Sequence, residues 1–407
     1  MSGRHDQHAG RVRSPEKPRA APMKILVLCY EYPPLGGGGG RVAQNIAAEM
    51  VKRGHEVRVQ TAALGWRSIR EQSGGVEIYR NASGRRAPDT CRVHEMAAYC
   101  ATSFLPTLRH IRTWRPDVIH AHFAMPTGLL AWAVHRLTGT PYVLTAHLGD
   151  VPGGVPEQTA ALFKIIGPIA RQVWSRAAAA TAVSSFVQEL AERAYGRKVE
   201  RILNGIDLSD GRPAPPAPKP QRHLVFIGRL NPQKNPAFVL EVLSRLIRLP
   251  WRLTFIGDGP LMPHLRERIA RYGLGDQVEM TGWLDAAEVH RLLADADILC
   301  MPSLSEGLPV AAIEALKYGL AIVASDIPGV RDVVDDGING YRVPLGDLDA
   351  FAHKLNWLLE SDATLFAMKH ASWEKARAFD LTRIAGEYER VLEGAAKHQQ
   401  RVIPSGV

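Results

Sequence analysis

The chain has 407 residues, which at roughly 100–200 residues per domain predicts two or three domains. Hydrophobic residues make up 46% and charged residues 22%, a balance typical of globular proteins and unlike that of disordered chains. No window offers the ~20 consecutive apolar residues that a membrane span requires. The four cysteines form neither a C-x-x-C pair nor a zinc-like cluster, so we expect reduced thiols in a cytoplasmic protein.

The net charge of +9 is unevenly distributed. Residues 1–210 carry 27 Lys and Arg against 17 Asp and Glu, whereas residues 211–407 carry 23 against 24. A basic first half predicts an anionic partner, such as a membrane surface or a phosphorylated lipid. The positive residues are scattered and no nucleic-acid reader motif accompanies them, so we expect no nucleic-acid partner.

Short apolar strands alternate with helical stretches twice along the chain, which predicts parallel sheets with helices on both faces. In the first half the pattern predicts strands at 24–29, 56–61, 117–121, 142–146 and 181–184, and a helix at 41–53. In the second half it predicts strands at 223–227, 251–256, 278–281, 298–301, 321–324 and 340–343, and helices at 236–248, 261–272 and 371–395.

Five prolines within residues 208–221 predict a stiff, extended linker between the two halves. We therefore predict an α/β protein with the following parts: a disordered basic tail at 1–22, Rossmann-like doubly wound domains at 23–207 and 222–378, and a C-terminal segment at 379–407 whose helix crosses back to the first domain before a tail. Ligands of open α/β sheets bind beyond the carboxyl ends of the strands. Two such sheets facing each other predict a cleft lined by the loops that follow strands.

Five consecutive glycines, Gly36 to Gly40, follow the first predicted strand. A side chain at Gly37, Gly38 or Gly39 could keep an anion from the free N–H groups of the next helix. The spacing matches neither the Rossmann fingerprint nor a Walker loop. A plain surface loop is the alternative, but a turn requires only one or two glycines. We therefore predict a phosphate site.

Two cations, Arg229 and Lys234, lie on the predicted loop after strand 223–227. A guanidinium fork and a point charge five residues apart suit the oxygens of a departing nucleoside diphosphate. Two solvated surface cations are the alternative, which the pair on its own would favour.

Two carboxylates, Glu306 and Glu314, lie in the stretch SEGLPVAAIEAL at 305–316. We expect Glu306 in the loop after strand 298–301 and Glu314 two turns into the next helix, on nearly the same face. Two such carboxylates can hold two sets of hydroxyls, those of a hexose and a ribose. The N–H groups of Leu308 and Val310 would meet phosphate at the helix start. The alternative is that Glu306 assists in capping the helix and that Glu314 is an ordinary solvated helix residue.

Together with FIGRLNPQKNP at 226–236, GDGP at 257–260, VSS at 183–185 and NGID at 204–207, this glutamate pair resembles glycosyltransferase family 4. That family comprises retaining enzymes of GT-B fold, in which two Rossmann-like domains face each other across a cleft. The resemblance extends from about residue 23 to residue 395. It implies an acceptor-side first domain and a second domain that binds a nucleotide sugar.

By this resemblance, Arg229 and Lys234 bind the donor diphosphate, Glu306 contacts the transferred sugar and Glu314 contacts the ribose. The run Gly37–Gly39 approaches the β-phosphate. The rest of the implied donor site comprises Gly228, Gly257, Leu308, Val310 and the backbone near Trp283, which would flank the base.

His147, in TAHLGD, matches the histidine that the family places near the donor sugar and the reaction centre. The family commonly has glycine directly after this histidine, whereas this chain has Leu148 and then Gly149. Asp150 is a candidate for orienting the acceptor.

The resemblance implies retention without a side-chain nucleophile, because the leaving phosphate oxygen takes the acceptor's proton. Preorganised cations and amides then stabilise the leaving charge, so we expect no cofactor and no metal. The D-x-D string at 295–297 falls where a helix end enters a strand, and we interpret it as structural.

Two stretches, 99–115 and 159–176, combine apolar residues with cations such as Arg109 and Lys164. Basic amphipathic helices can lie in a membrane interface, so we predict an acceptor-side surface that contacts the anionic inner face of the plasma membrane. The alternative is two ordinary helices that pack on the sheet.

The expected activity is transfer of a hexosyl group from a nucleotide-diphosphate sugar to a glycan or lipid-linked acceptor, in cell-surface polysaccharide or glycolipid synthesis. A nucleotide-sugar epimerase of the same fold and a non-catalytic nucleotide-sugar-binding protein remain the alternatives. Net release of free nucleotide distinguishes the transferase from both.

Overall fold

The structure is a computed structural model that describes residues 21–402 apart from residues 89, 212 and 214. The tail predicted at 1–22 lies outside the described residues except for its last two positions, as do residues 403–407.

The first domain is built on one eight-stranded sheet of order β3-β4-β2-β1-β5-β6-β7-β8. Its elements are β1 (Lys24–Leu28), α1 (Gly38–Lys52), β2 (Glu56–Leu64), β3 (Ile69–Ser73), β4 (Val76–Arg85), α2 (Val93–Trp114), β5 (Val118–His122), α3 (Thr127–Thr138), β6 (Tyr142–Ala146), α4 (Pro156–Arg176), β7 (Ala179–Ala182), α5 (Ser185–Tyr195) and β8 (Glu200–Arg201). All strand pairs are parallel except β3–β4. Every residue of β5 and β6 is buried, as a parallel sheet covered by helices requires.

The second domain is built on a six-stranded parallel sheet of order β11-β10-β9-β12-β13-β14. Its elements, with the helices that end the chain, are β9 (Arg222–Ile227), α6 (Pro236–Ser244), β10 (Trp251–Ile256), α7 (Met262–Tyr272), β11 (Val278–Gly282), α8 (Ala286–Asp295), β12 (Ile298–Met301), α9 (Val310–Lys317), β13 (Ala321–Ser325), β14 (Gly340–Val343), α10 (Leu348–Glu360), α11 (Asp362–Ala376) and α12 (Leu381–Val402). The prediction of two parallel-sheet α/β domains is confirmed.

The last helix, α12, packs on the first domain. Tyr388 and Leu392 are fully buried in the same hydrophobic cluster as Ile25 and Val118. The predicted single helix at 371–395 is wrong, because the helical conformation is interrupted between α11 and α12. There, the N–H of Ile206 donates to the Phe379 carbonyl (2.8 Å) and the N–H of Leu381 donates to the Ile206 carbonyl (2.9 Å). An extended bridge to the end of the first domain thus replaces helical hydrogen bonds.

The first domain also contains a hairpin that the strand pattern did not predict, β3–β4. Its turn is Gly74-Gly75, both with positive φ (56° and 82°), as hairpin turns require. The strand predicted at 181–184 ends instead at Ala182, because the Ser184 hydroxyl caps α5 by accepting the N–H of Val187 (3.2 Å).

The D-x-D string lies at the amino edge of the second sheet. Asp295 ends α8 and Asp297 precedes β12, as predicted. Asp297 is buried, and its Oδ1 lies 3.3 Å from Lys219 Nζ and 3.1 Å from Lys369 Nζ. These carboxylates therefore tie the end of the proline-rich segment to the second domain.

Candidate active site

The glycine run after β1 meets the second domain. A Cβ built on Gly37 would lie 3.5 Å from Arg229 Nη2, and one built on Gly38 would lie 3.0 Å from Val310 Cγ2. The N-terminus of α1, with N–H groups that lack intrahelical partners, thus faces a cation and the start of α9 from the opposite domain.

The helix start predicted at Arg41 is wrong, because α1 begins within the glycine run at Gly38. Steric fit explains the glycines of this first turn. A Cβ on Gly39 would lie 2.5 Å from Phe123 Cζ, and one on Gly40 would lie 2.6 Å from the Glu31 carbonyl oxygen. The run is therefore packed tightly against its own domain, unlike a surface loop tip.

Two residues from separate sequence motifs form one ion pair. Lys234 Nζ donates to Glu306 Oε1 at 2.6 Å, and the Ser303 hydroxyl donates to the same oxygen at 2.7 Å. Glu306 is only 7% exposed. The pair forms because β9 and β12 are neighbouring strands, so the loops at their carboxyl ends are adjacent.

The loop that carries Lys234 is held in place by short-range hydrogen bonds. The Asn231 side chain accepts the N–H of Lys234 (3.0 Å), and Gln233 Nε2 donates to the Ser305 carbonyl (3.1 Å). The Lys234 ammonium is therefore presented from a braced loop, which limits the entropy lost when it binds an anion.

Glu314 lies on α9 and reaches toward the first domain. Its Oε1 is 3.8 Å from Arg41 Nη1, and burial raises its pKa although Arg41 opposes that rise. The prediction that it lies two turns into the helix is wrong, because α9 begins at Val310 after the non-helical Pro309. Glu306 lies in the loop before the helix, so the two carboxylates do not share a helix face.

The remaining predicted donor residues occupy neighbouring loops. A Cβ on Gly257 would lie 2.2 Å from the Gly228 carbonyl oxygen, so the loops after β9 and β10 pack backbone to backbone. The buried Leu308 lies just before α9, and its carbonyl accepts Asn204 Nδ2 (3.3 Å) from the NGID motif. Trp283 directly follows β11 with 57% of its surface exposed.

His147 follows β6 and lies beside the glycine run, where a Cβ on Gly39 would be 3.2 Å from its Nδ1. The residue is 9% exposed, and burial lowers its pKa to about 4, while the Asp150 carboxylate acts in the opposite direction. Its Nε2 lies 3.3 Å from His122 Nδ1. The imidazole is therefore neutral near pH 7.

The expectation that Asp150 orients the acceptor is not supported by its contacts. Asp150 is 4% exposed, and its two oxygens accept the N–H groups of Ala124 (2.7 Å), His147 (2.9 Å) and Leu148 (3.0 Å). A carboxylate so engaged braces the loop that carries His147. Leu148, which replaces the family's glycine, takes part in this bracing through its N–H.

The other two acceptor-side candidates, Arg109 and Lys164, lie within helices and not on strand-end loops. Arg109 lines a separate cavity of about 560 Å³ between α2 and the β3–β4 hairpin. The end of α2 lies at the amino edge of the first sheet, where Trp114 Nε1 donates to Glu56 Oε2 (3.1 Å). Lys164 is exposed midway along α4. These two residues were chosen because they are cations in amphipathic stretches. That pattern does not indicate at which edge of the sheet a residue lies.

Three residues of the site were missed by sequence reasoning: Arg41, His122 and Ser303. Arg41 directly follows the glycine run, so its position was a usable signal. His122 carries no local signal in the sequence, because only the pairing of β5 with β6 brings it to His147.

Two family models match adjacent parts of the chain, "Glycosyltransferase Family 4" over residues 36–210 and "Glycosyl transferases group 1" over residues 210–377. The chain belongs to the family 4, group 1 glycosyltransferases. This glycosyltransferase is 27% identical to a phosphatidyl-myo-inositol mannosyltransferase of Mycobacterium leprae, over 93% of this chain and 99% of the relative.

Solved structures agree on the fold of this glycosyltransferase. Sucrose-phosphate synthase from Thermosynechococcus elongatus superposes with a TM-score of 0.79 at 18% identity, covering 91% of this chain and 98% of that one. HepE from Anabaena, in complex with UDP and glucose, gives 0.73 at 19% identity, covering 91% and 99%. The predicted GT-B architecture is confirmed.

Proposed function

We propose that this glycosyltransferase moves a hexosyl group, with retention, from a nucleotide-diphosphate sugar to a glycan or lipid-linked acceptor. The observation that carries the proposal is the approach of Arg229 to the glycine N-terminus of α1, from the same loop that carries Lys234, the partner of Glu306. Cations from one domain and free N–H groups from the other suit a diphosphate held between them.

The donor binds along the second domain in this proposal. Arg229 and Lys234 hold the phosphates, Glu306 accepts sugar hydroxyls and Glu314 accepts ribose hydroxyls. The exposed Trp283 flanks the base. The structural neighbour from Anabaena binds UDP and glucose, which supports a nucleotide sugar as the donor here.

Transfer then requires no side-chain nucleophile. The acceptor oxygen forms a bond to the anomeric carbon on the face from which the diphosphate leaves, while the bond from that carbon to the phosphate oxygen breaks. The leaving phosphate oxygen takes the acceptor's proton. The fixed positive charge of Arg229 and Lys234 stabilises the leaving diphosphate, and His147 contacts the sugar.

We also propose that the reaction needs no metal, because Arg229 and Lys234 supply the charge that stabilises a leaving diphosphate. Asp295 and Asp297 already pair with lysines at the opposite edge of the sheet. Unchanged turnover in EDTA supports this part of the proposal. Loss of turnover that magnesium restores contradicts it.

A lipid-linked acceptor is supported by the name of the Mycobacterium leprae relative, which acts on a phosphatidylinositol. On the first domain, Leu105, Ile165 and Ile169 expose 71%, 79% and 46% of their surfaces near Arg109 and Lys164 in sequence. We propose that this mixed surface contacts an anionic membrane peripherally. In the described part of the chain, no helix is long and apolar enough to cross a membrane.

The decisive experiment supplies purified protein with UDP-, GDP- and ADP-sugars and follows nucleotide release, with and without a bacterial lipid extract. Glu306→Ala and Lys234→Ala test the site, and Lys219→Ala is the matched control because Lys219 also pairs with a carboxylate but at the other sheet edge. The anomeric configuration of the product tests retention.

We expect release from one donor, increased by the extract, lost in both site variants and kept in the control. Interconversion of the donor sugar without net nucleotide release would identify an epimerase instead. Donor binding without any turnover, with every sugar and extract, would identify a binding protein.

A further inference from the structure

A buried histidine, His122, lies behind His147 and is not accounted for by donor binding. We propose that His122 is a positioning residue whose Nδ1–H donates to His147 Nε2, and so fixes His147 as the tautomer that carries its proton on Nδ1. This inference rests on the proposed function in one respect only, namely that the Nδ1 proton of His147 serves donor binding.

A single contact between ring nitrogens links the two histidines. His122 Nδ1 lies 3.3 Å from His147 Nε2, and the ring centroids are 5.5 Å apart. His122 is fully buried, and within residues 21–402 as described its Nε2 has no hydrogen-bond partner. The ring therefore has one partner, His147, and one bare nitrogen.

His122 is neutral, because burial holds its pKa well below the ordinary range and His120 and His147 act in the same direction. A neutral imidazole carries one proton. On Nε2 that proton would be a buried N–H without an acceptor, which is rarer in proteins than an unpaired acceptor. The proton therefore lies on Nδ1, and His122 is the donor to His147.

His147 is neutral as well, since burial lowers its pKa to about 4. Its Nε2 accepts from His122, so its single proton is on Nδ1. That nitrogen faces the glycine run, where a Cβ on Gly39 would lie 3.2 Å away. His147 thus presents an N–H to the place where the donor's oxygens bind, whereas the other tautomer would present a lone pair to them.

His120, two residues earlier on the same strand, has a different partner and provides a control. Its Nε2 lies 2.8 Å from Thr145 Oγ1, which lies 2.8 Å from Thr181 Oγ1, which donates to the Leu144 carbonyl (3.2 Å). Each threonine hydroxyl has one proton to donate. Because Thr181 donates to the carbonyl, Thr145 donates to Thr181, and His120 therefore donates its Nε2–H to Thr145. It braces the sheet and has no hydrogen bond with His147 among the described residues.

The test compares His122→Leu with His120→Leu, since both positions are fully buried on β5. The tautomer of His147 is read from the ¹⁵N shifts of histidine-labelled full-length protein, and kcat and KM for the donor are measured in parallel. We expect His122→Leu to shift His147 toward the Nε2–H form and to lower kcat about 10-fold, the loss of one oriented hydrogen bond. His120→Leu should leave the tautomer of His147 unchanged.

Two conservative variants keep the test informative if His122→Leu does not fold. Asn places an amide nitrogen near the position of Nδ1, whereas Gln places it near Nε2. We expect His122→Asn to keep the Nδ1–H form of His147 and most of kcat, and His122→Gln to lose both.

An Nε2–H form of His147 in the wild-type protein, or an Nδ1–H form that survives His122→Leu, would overturn the proposal. The tautomer is read without substrate. A protein that transfers no sugar but shows the expected tautomers would refute the proposed function and leave the role of His122 intact.

Discussion

The proposed donor loops of the second domain and the basic helices of the first domain were both predicted from charged residues, but the fold places the two sets of residues differently. Arg229 and Glu306 lie at the carboxyl ends of β9 and β12, where topology concentrates ligands. Arg109 was chosen for its charge within an amphipathic helix and lies toward the other edge of its sheet. A charged residue thus supports a specific site prediction when it lies on a strand-end loop, and otherwise indicates only a class of partner.

The two sides also differ in how their residues are held. Lys234 and Glu306 are paired and braced by hydrogen bonds, whereas Lys164 is exposed. Preorganised groups contribute more to catalysis than mobile ones, because little reorganisation remains for the reaction.

Gly39→Ala should produce a larger loss than Glu314→Gln or Arg109→Ala, although it changes no charge. A methyl group there would meet Phe123 Cζ at 2.5 Å and His147 Nδ1 at 3.2 Å, so either the Phe123 ring beside His147 or the first turn of α1 must shift. A displacement of about 1 Å can lower turnover ~100-fold. We expect a loss of that size in kcat/KM, measured by nucleotide release.

Gly275→Ala is the control, because nothing lies within 4 Å of the added carbon. Melting temperatures of both variants separate misplacement from unfolding. Normal turnover by a folded Gly39→Ala protein would mean that the glycine run has no part in the site.

Glu314→Gln should separate binding from stability on the donor side. Burial raises the pKa of Glu314, so the charged carboxylate is less stable in the folded state than in the unfolded chain. We expect the neutral amide to raise the free energy of unfolding slightly and to weaken nucleotide binding about 10-fold, through loss of a charged hydrogen bond.

Calorimetric titration with the nucleoside diphosphate and thermal unfolding provide the two readings. The exposed Glu279 supplies a control substitution to Gln that should change neither. Unaltered nucleotide affinity in Glu314→Gln would remove the ribose role and leave Glu314 as a partner of Arg41 across the domains.

The sequence predicted the two-domain fold for a physical reason, which also explains why the proposed donor loops are adjacent. Apolar runs and glycines near Arg229 and Glu306 are local signals, and the order of parallel strands converts them into neighbours in space. By contrast, the Gly74-Gly75 hairpin and the break near Asp380 depend on partners distant in the chain. The sequence could not indicate a role for His122, because that role depends on one hydrogen bond between residues of neighbouring strands.

The first domain should be the more sensitive to acid. Burial lowers the pKa of His120 to about 3 and those of His110 and His147 to about 4, below the value of about 6.5 for an unfolded chain. The unfolded state therefore binds more protons between pH 6.5 and 4. Stability is complete above pH 6.5 and falls as the pH decreases through that window, by about 1 kcal/mol per pH unit for each histidine.

Denaturant unfolding at a series of pH values measures this slope. His120→Leu should reduce it by about 1 kcal/mol per pH unit. Replacement of the exposed His370 on α11 by Leu is the control and should leave the slope unchanged. Equal slopes for the His120 variant and the wild type would show that the buried histidine is not neutral in the folded protein.

The smallest effect on turnover is expected for Arg109→Ala, and this null result sharpens the contrast between the two sides. Arg109 lines the separate cavity between α2 and the β3–β4 hairpin, so nucleotide release with a water-soluble acceptor should change less than about twofold, as for most surface substitutions. A large loss of turnover in Arg109→Ala with the soluble acceptor would place this cavity in the acceptor path, and the two sheet edges would then not differ in function.

If the mixed surface contacts membranes, flotation with anionic vesicles at low salt should weaken for the double variant Arg109→Ala with Lys164→Ala, while neutral vesicles show no difference. Undiminished flotation of the double variant would remove these cations from any membrane contact and leave α2 and α4 as helices that pack on the sheet.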